Sequence, residues 1–315
     1  AMEACASAHH YGRALTAAGF TVRLIAPHRV TPYRLQGKAA KNDANDAAAV
    51  CEAASRPHML FVDVKSTEQQ ALLLAHAFRQ GYIEARTPLV NRVRGALLEF
   101  GVALPQGIEQ LRAALPRLLD PTAALAQRLP GPLRTLLEQA LEHWAELDTR
   151  IDQAEAPITQ HAREDARARM VGQLQGIGPL GASALVAHVG DMSMFTHARQ
   201  APAWLGVVPA QHSTGGKVKL SGISKHGDPA LRTLLITGAR SAVQTAHLRS
   251  DPTSQWLARL RERSGWQTAC VALVNKNLRI AWAMLTRGTP FDPQHRPTAP
   301  ARGAAAQPQP VALPA

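Results

Sequence analysis

The chain has 315 residues, 46% of them hydrophobic, enough for two or three domains with their own cores and no need of disulfide staples. Its 35 Lys and Arg against 23 Asp and Glu leave a formal net charge of +12, which favours a polyanion partner, nucleic acid first, over a pocket for an acidic substrate. Cys5, Cys51 and Cys270 lie far apart with no CxxC pair and no His at zinc spacing, so they are expected to be buried, reduced thiols. No apolar run reaches the ~18 residues that span a bilayer, and no basic-then-apolar signal peptide opens the chain; a cytoplasmic protein is expected.

In chain order, the first stretch, "AMEACASAHHYGRALTAAGFTVRLIAP", predicts the end of a strand, an amphipathic helix from about Ser7 to Ala18, and an apolar strand over Thr21 to Ile25. A fold that opens on a lone strand end is expected to have lost a segment before it. "KNDANDAAAV", residues 41–50, then puts two carboxylates three residues apart at a helix mouth. If the helix starts near Asn42, Asp43 and Asp46 share a face and can converge on one divalent cation, with phosphate chemistry to follow. Alternatively Asp43 and Asn45 are caps or first-turn residues that accept free N–H groups. "MLFVDV" at 59–64 predicts a short strand that closes this α/β segment.

From "STEQQ", where Ser66 and Gln69 stand at capping-box spacing, a helix is predicted to about Phe100 with an apolar face at Leu73, Ala77, Ile83, Val90, Val93 and Leu97. Residues 108–170 predict a second helical stretch, interrupted at Pro116, Pro121, Pro130 and Pro132, with a clean run from about Leu133 to Met170. Two long antiparallel helices would form a stalk or dimerisation arm; a plain bundle packed on the first domain is the alternative.

"LQGIGPLGASALVAHVGD", residues 174–191, has the pattern of a helix-hairpin-helix, whose glycine turn, here Gly176 and Gly178, offers backbone N–H groups to a phosphate; an ordinary glycine-rich connection between helices is the alternative. Between Arg199 and Arg249 the basic residues Arg199, Lys217, Lys219, Lys225, Arg232, Arg240 and Arg249 face one acidic residue, Asp228, a balance suited to a phosphodiester backbone. Within it "HSTGGK" sets Ser213 and Thr214 in a glycine-rich loop beside Lys217. An exposed hydroxyl there could attack phosphorus; it could equally bond its own turn. Val218 after Lys217 excludes an ATP-binding phosphate loop. The tail from Asp292 is Pro- and Ala-rich and is expected to be disordered.

Several blocks in one order carry a family likeness: "VRLIAPHRVTPY", "KNDANDAAAVCEAASRP", "FVDVKSTEQQALLLAH", "RVRGALLEFG", "GIGPLGASAL", "WLGVVPAQHSTGGKVKLSGISKHGDPALRTLLITGARSAV" and "VALVNKNLRIAWAMLTRG". Together, over residues 1 to about 291, they resemble the DEDD insertion-sequence transposases, relatives of site-specific invertases with members that act as bridge-RNA-guided recombinases. The resemblance implies an α/β RNase H-like (RuvC-like) domain over 1–64, incomplete, a helical coiled-coil arm over 65–170, a mainly α-helical transposase domain over 171–291 with the helix-hairpin-helix and a catalytic-serine loop, and a disordered tail over 292–315.

It also implies a metal site of Glu3, Asp43 and Asp46 holding Mg²⁺ or Mn²⁺, and Ser213 as nucleophile with Thr214 as the neighbouring rival. DNA is the implied partner, contacted by Gly176, Gly178, Lys217, Lys219, Lys225 and Arg232, in a bacterial homo-oligomer, a dimer or tetramer, with a guide RNA in some members. The family's first aspartate lies on a strand before the glutamate strand, so the resemblance implies an N-terminally truncated copy with three of four carboxylates. A metal-dependent nuclease that uses water, and an inactive DNA-binding protein, are the rival functions.

Overall fold

The computed structural model describes residues 1–35, 42–104, 106–120, 122–215 and 217–294. Most of the expected tail, from 295 on, and Lys41 and Gly216 lie outside the described residues. The chain divides into two compact units, Ala1–Gly172 with Gly178–Met194, and Gln173–Ile177 with Phe195 onward.

The first unit opens with a small sheet of β1 (Met2–Glu3), β2 (Leu24–Ile25) and β3 (Phe61–Val62), in that order. β1 and β2 are parallel, with Glu3 opposite Ile25, and β3 runs antiparallel to β2. The predicted strands are therefore present but only two residues long. Parallel neighbours need a crossover, which helix α1 (Ala8–Ala17) supplies. It docks on the chain after β3: His9 Nδ1 accepts the Lys65 N–H, Arg13 donates to the Lys65 carbonyl at 2.7 Å, and a Cβ on Gly12 would meet Val64 Cγ2 at 2.9 Å.

After β2 come a helical turn, α2 (Pro27–Val30), and a 3₁₀ turn, Thr31–Tyr33. Helix α3 (Asp43–Ala54) follows, capped by Asn42, whose side chain accepts the Asn45 N–H at 2.9 Å. Asp43 and Asp46 thus occupy the first turn, and the cap itself belongs to Asn42. Ile25, Val30, Ala49 and Ala53 form the core beneath, with Tyr33, Met59 and Phe61 packed around them.

Helix α4 (Thr67–Glu99) starts at the expected capping box: Ser66 Oγ accepts the Gln69 N–H and Gln69 Oε1 accepts the Ser66 N–H. It pairs with α7 (Gly131–Glu164), and the pairing is antiparallel, since Arg79 meets Glu155 while Arg86 meets Asp148. The apolar face is buried only in the second half of α4, where Val90, Val93 and Leu97 join Leu137 and Trp144 of α7 and Leu111, Leu115 and Leu119 of α5 (Ile108–Leu119). Ala77, expected inside, is exposed, and Leu74 and Phe78 stand out on the surface.

A short helix, α6 (Ala124–Arg128), bridges to α7. Of the four prolines expected to interrupt the stretch, Pro130 stands at the break between α6 and α7 as the cap of α7, whereas Pro116 lies within α5 and Pro132 in the first turn of α7, where no N–H is needed; Pro121 lies outside the described residues. The long run ends before Met170 because the Asp165 side chain accepts the N–H groups of Arg167 and Ala168 and starts a new helix, α8 (Ala166–Val171).

Helix α9 (Pro179–Val189) is buried along nearly its whole length and belongs to this first unit. Its Ser183, fully buried, meets His76 Nε2 of α4 at 3.2 Å. Burial above all, then the positive charges of His188, Arg79 and His161, hold the His76 pKa down from 6.5 to about 4.

A base whose folded-state pKa lies below its unfolded value leaves the unfolded chain with the extra proton between the two. This contribution is therefore complete above about pH 6.5 and lost as pH falls toward 4, with an upper limit of about 3 kcal/mol. His76→Gln, which does not titrate, is expected to flatten the loss of stability between those pH values in urea unfolding; an unchanged slope would show that His76 does not cause it.

The second unit begins with α10 (Gln200–Leu205), followed by a hairpin of β4 (Pro209–Gln211) and β5 (Leu220–Ile223), paired Pro209 to Ile223 and Gln211 to Leu220 with an irregularity between. Helices α11 (Pro229–Thr245), α12 (Pro252–Ser264) and α13 (Trp266–Arg287) pack around Leu231, Leu235, Val243, Leu257, Leu273 and Leu278. The segment Gln173–Ile177 is stitched into this unit: Asn277 donates to the Gln175 carbonyl at 2.9 Å, and Gln175 Nε2 donates to Ser254 Oγ at 2.8 Å. Of the cysteines, Cys270 is buried as expected, but Cys5 and Cys51 are exposed; all three are free thiols.

Candidate functional site

In the first unit, the end of β1 and the mouth of α3 meet at one cation. Arg34, just after the 3₁₀ turn, donates from Nη2 to Glu3 Oε2 at 2.7 Å, and its Nε lies 3.1 Å from Asp46 Oδ1. Two carboxylates held by one guanidinium are no more than about 8 Å apart. The contact to Asp46 is a charge contact without hydrogen-bond alignment, because the buried Arg34 Nε has no hydrogen-bond partner among the described residues.

Asp43, three positions before Asp46, is exposed and makes no ion pair among the described residues. Nor, among them, do three His, Cys, Asp or Glu side chains gather closely enough to hold a metal ion. Of the expected trio the fold therefore joins Glu3 and Asp46, across 43 residues of chain, and leaves Asp43 beside them on α3.

The donor chemistry nevertheless fits a hard divalent cation. Mg²⁺ takes one or two carboxylates and completes its shell with water and substrate phosphate oxygens, and Glu3 and Asp46 already converge on a positive charge. Arg34 is not legible in the sequence as a member of this site. No spacing rule points to it, since its partners lie 31 residues before and 12 after it.

In the second unit, Ser213 stands on the exposed loop of the β4–β5 hairpin. Its Oγ accepts from Gln211 Nε2 at 2.8 Å and, weakly, from the Lys219 N–H at 3.4 Å. Thr214 is engaged through its backbone, its carbonyl accepting the Lys217 N–H at 3.0 Å. Lys217, Lys219 and Lys225 are exposed around this loop, as a phosphate-contacting surface requires.

Arg232, one of the expected DNA contacts, also has a place in the fold. Its Nη1 donates to the carbonyls of Leu205, Lys225 and His226 at 3.0–3.2 Å, so the guanidinium ties the hairpin's base to the start of α11. Close backbone approach fixes the same base. A Cβ on Gly206, at φ +75, would lie 2.2 Å from the His226 carbonyl oxygen, and one on Gly227, at φ +78, 2.2 Å from that of Trp204.

The glycine loop before α9 also divides in two. Gly176, at φ +83, lies against α11, where a Cβ would meet Ala239 Cα, the Gly238 carbonyl and Ala242 Cβ at 3.2 Å each. Tight packing by itself requires glycine at this position. Gly178 is exposed, with open space around it, at the N-terminus of α9.

Residues 1–101 match a transposase domain of the DEDD type, and residues 168–253 match the family described as "Transposase IS116/IS110/IS902 family". The chain is 48% identical over 295 residues to a "Probable family 20 transposase" of Pseudomonas aeruginosa, covering 93% of this chain and 85% of that one. It is 40% identical over 287 residues to the "Transposase for insertion sequence element IS1111A" of Coxiella burnetii, covering 91% and 77%. With the corresponding protein of IS1328 from Yersinia enterocolitica it shares 38% identity over 291 residues, covering 92% and 84%.

The class is thus that of transposases, enzymes that recombine DNA. Within it, the chain belongs to the IS116/IS110/IS902 family of insertion-sequence transposases, whose DEDD-type domain implies an RNase H-like fold and a divalent metal. The match to that domain runs over residues 1–101. Among the described residues no helix is long and apolar enough to cross a membrane.

Proposed function

We propose that this transposase cuts and rejoins DNA by transesterification, with Glu3 and Asp46 as carboxylates for a divalent cation, Mg²⁺ or Mn²⁺, Asp43 as their neighbour on α3, and Ser213 as nucleophile. The observation that carries the metal half is the convergence of Glu3 and Asp46 on one positive charge. Such a cation, when bound, neutralises phosphate charge and stabilises the departing oxygen.

Ser213 supplies the covalent half. Its Oγ forms a bond to phosphorus as a P–O ester bond breaks; the hydroxyl proton passes to solvent and the leaving oxygen takes one up, so the number of phosphodiester bonds is conserved. Lys217, Lys219 and Lys225 hold the strand electrostatically and Arg232 keeps the hairpin in place. The Leu74 and Phe78 stripe on α4 supports a homo-oligomer in which long helices of two copies pair, since recombining two duplexes takes more than one active site.

Asp46→Asn keeps the shape of the side chain while removing its charge. It is expected to lower Mg²⁺-dependent DNA cleavage by about a hundredfold with DNA affinity unchanged, the usual scale for one group that stabilises developing charge. Cleavage at the wild-type rate would remove Asp46 from the metal reading.

A further inference from the structure

The geometry points to Arg34 as the positioning residue that holds Glu3 and Asp46 together in the metal-free protein and must release them when a divalent cation binds. The inference rests on the metal reading above and goes beyond it by assigning a residue to the apo state. Two carboxylates brought within about 8 Å repel one another, and a positive charge between them offsets the repulsion. Among the described residues that charge is the Arg34 guanidinium, within ion-pair distance of both. A cation bound by the same two carboxylates requires the same place, so guanidinium and metal exclude each other.

Two features make the guanidinium replaceable. Its hold is one-sided: the bond to Glu3 is well formed, whereas the buried Nε lies 3.1 Å from Asp46 without hydrogen-bond alignment and finds no other acceptor among the described residues. A misaligned contact leaves a donor unsatisfied, so exchange for hydration gives something back. The side chain is also 37% exposed, which leaves a path to solvent, while Asp46 at 43% is open to an incoming ion. A divalent ion brings twice the charge and several ligand positions, and so displaces a monovalent, half-aligned partner.

The test is Mn²⁺ binding by the full chain, read as the loss of the free Mn²⁺ electron paramagnetic resonance signal. Arg34→Gln is expected to bind Mn²⁺ about fivefold more tightly than wild type, the scale of one partly exposed ion pair no longer competing. Arg34→Lys keeps the charge but not the fork, and should fall between. Adding Asp46→Asn to Arg34→Gln should cancel the gain.

If Glu3→Gln weakens Mn²⁺ binding but Arg34→Gln leaves it unchanged or weaker, the metal site stands and the role of Arg34 falls. If neither wild type nor Arg34→Gln binds Mn²⁺, both fall together. Should Arg34→Gln fail to fold by circular dichroism, the wild-type protein decides: Mg²⁺ must shift the Arg34 Nε–Hε signal in a ¹⁵N spectrum, assigned by its absence in Arg34→Lys. A signal unmoved at saturating Mg²⁺ overturns the inference.

Discussion

Ser213→Ala is expected to abolish the covalent protein–DNA species, a loss of roughly four orders of magnitude or more, while DNA affinity stays within a few-fold of wild type. The asymmetry follows from where the hydroxyl stands. It is exposed on the hairpin loop and accepts only one good hydrogen bond, from Gln211, so its removal costs the fold little and leaves the lysines around it in place. A backbone-dominated interface barely registers one hydroxyl, but the bond to phosphorus cannot form without it. Thr214→Val is the internal control and should retain the adduct, because Thr214 is engaged here through its backbone. Loss of the adduct in Thr214→Val and its survival in Ser213→Ala would transfer the role to the neighbour. Full Mg²⁺-dependent cleavage by Ser213→Ala without an adduct would favour a nuclease that uses water.

Gly206→Ala should destabilise the second unit by about 3 kcal/mol or more, and Gly178→Ala, at a helix N-cap, by no more than about 1 kcal/mol. At Gly206 the left-handed backbone alone costs roughly 1–2 kcal/mol for a residue with a Cβ. The new methyl would also lie 2.2 Å from the His226 carbonyl oxygen and 2.4 Å from its nitrogen, backbone atoms that cannot turn aside. The chain must therefore separate at the hairpin's base, where Arg232 holds the Leu205 and His226 carbonyls, and adduct formation by Ser213 should fall with it. Gly178, an expected DNA-contact glycine, has an ordinary φ of −85, and a methyl group added to it would meet nothing within 4 Å, so it is a fair control. Urea unfolding with a tryptophan probe separates the two; equal midpoints would show that the hairpin base is not tightly held.

Legibility in the sequence followed the range of the interaction. The Ser66–Gln69 capping box and the start of α3 at Asp43 were readable, because caps and first turns are decided within three or four residues. Helix α5 passes through Pro116 against expectation because Leu111, Leu115 and Leu119 are buried beneath it, and packing outweighs one local signal. The apolar stripe of α4 read as continuous, yet burial stops short of Ala77. Period alone shows which residues share a face, whereas a neighbour in space decides whether that face is covered.

By itself the sequence determined the chemistry available and the family: carboxylates at Glu3, Asp43 and Asp46, a hydroxyl pair in a basic stretch, two long helices, and blocks in the order of a transposase. Tertiary structure alone decided which of these groups meet. It joined Glu3 to Asp46 through Arg34 and left Asp43 beside them, set Arg232 as a clamp on three carbonyls, packed Gly176 against α11, and set α9 in the first unit. The physical reason is that a charge or a glycine reads the same in sequence whatever it faces. Its partner, 12 to 102 residues away in the pairs Arg34–Asp46 and Asn277–Gln175, is chosen only when the chain has closed around it.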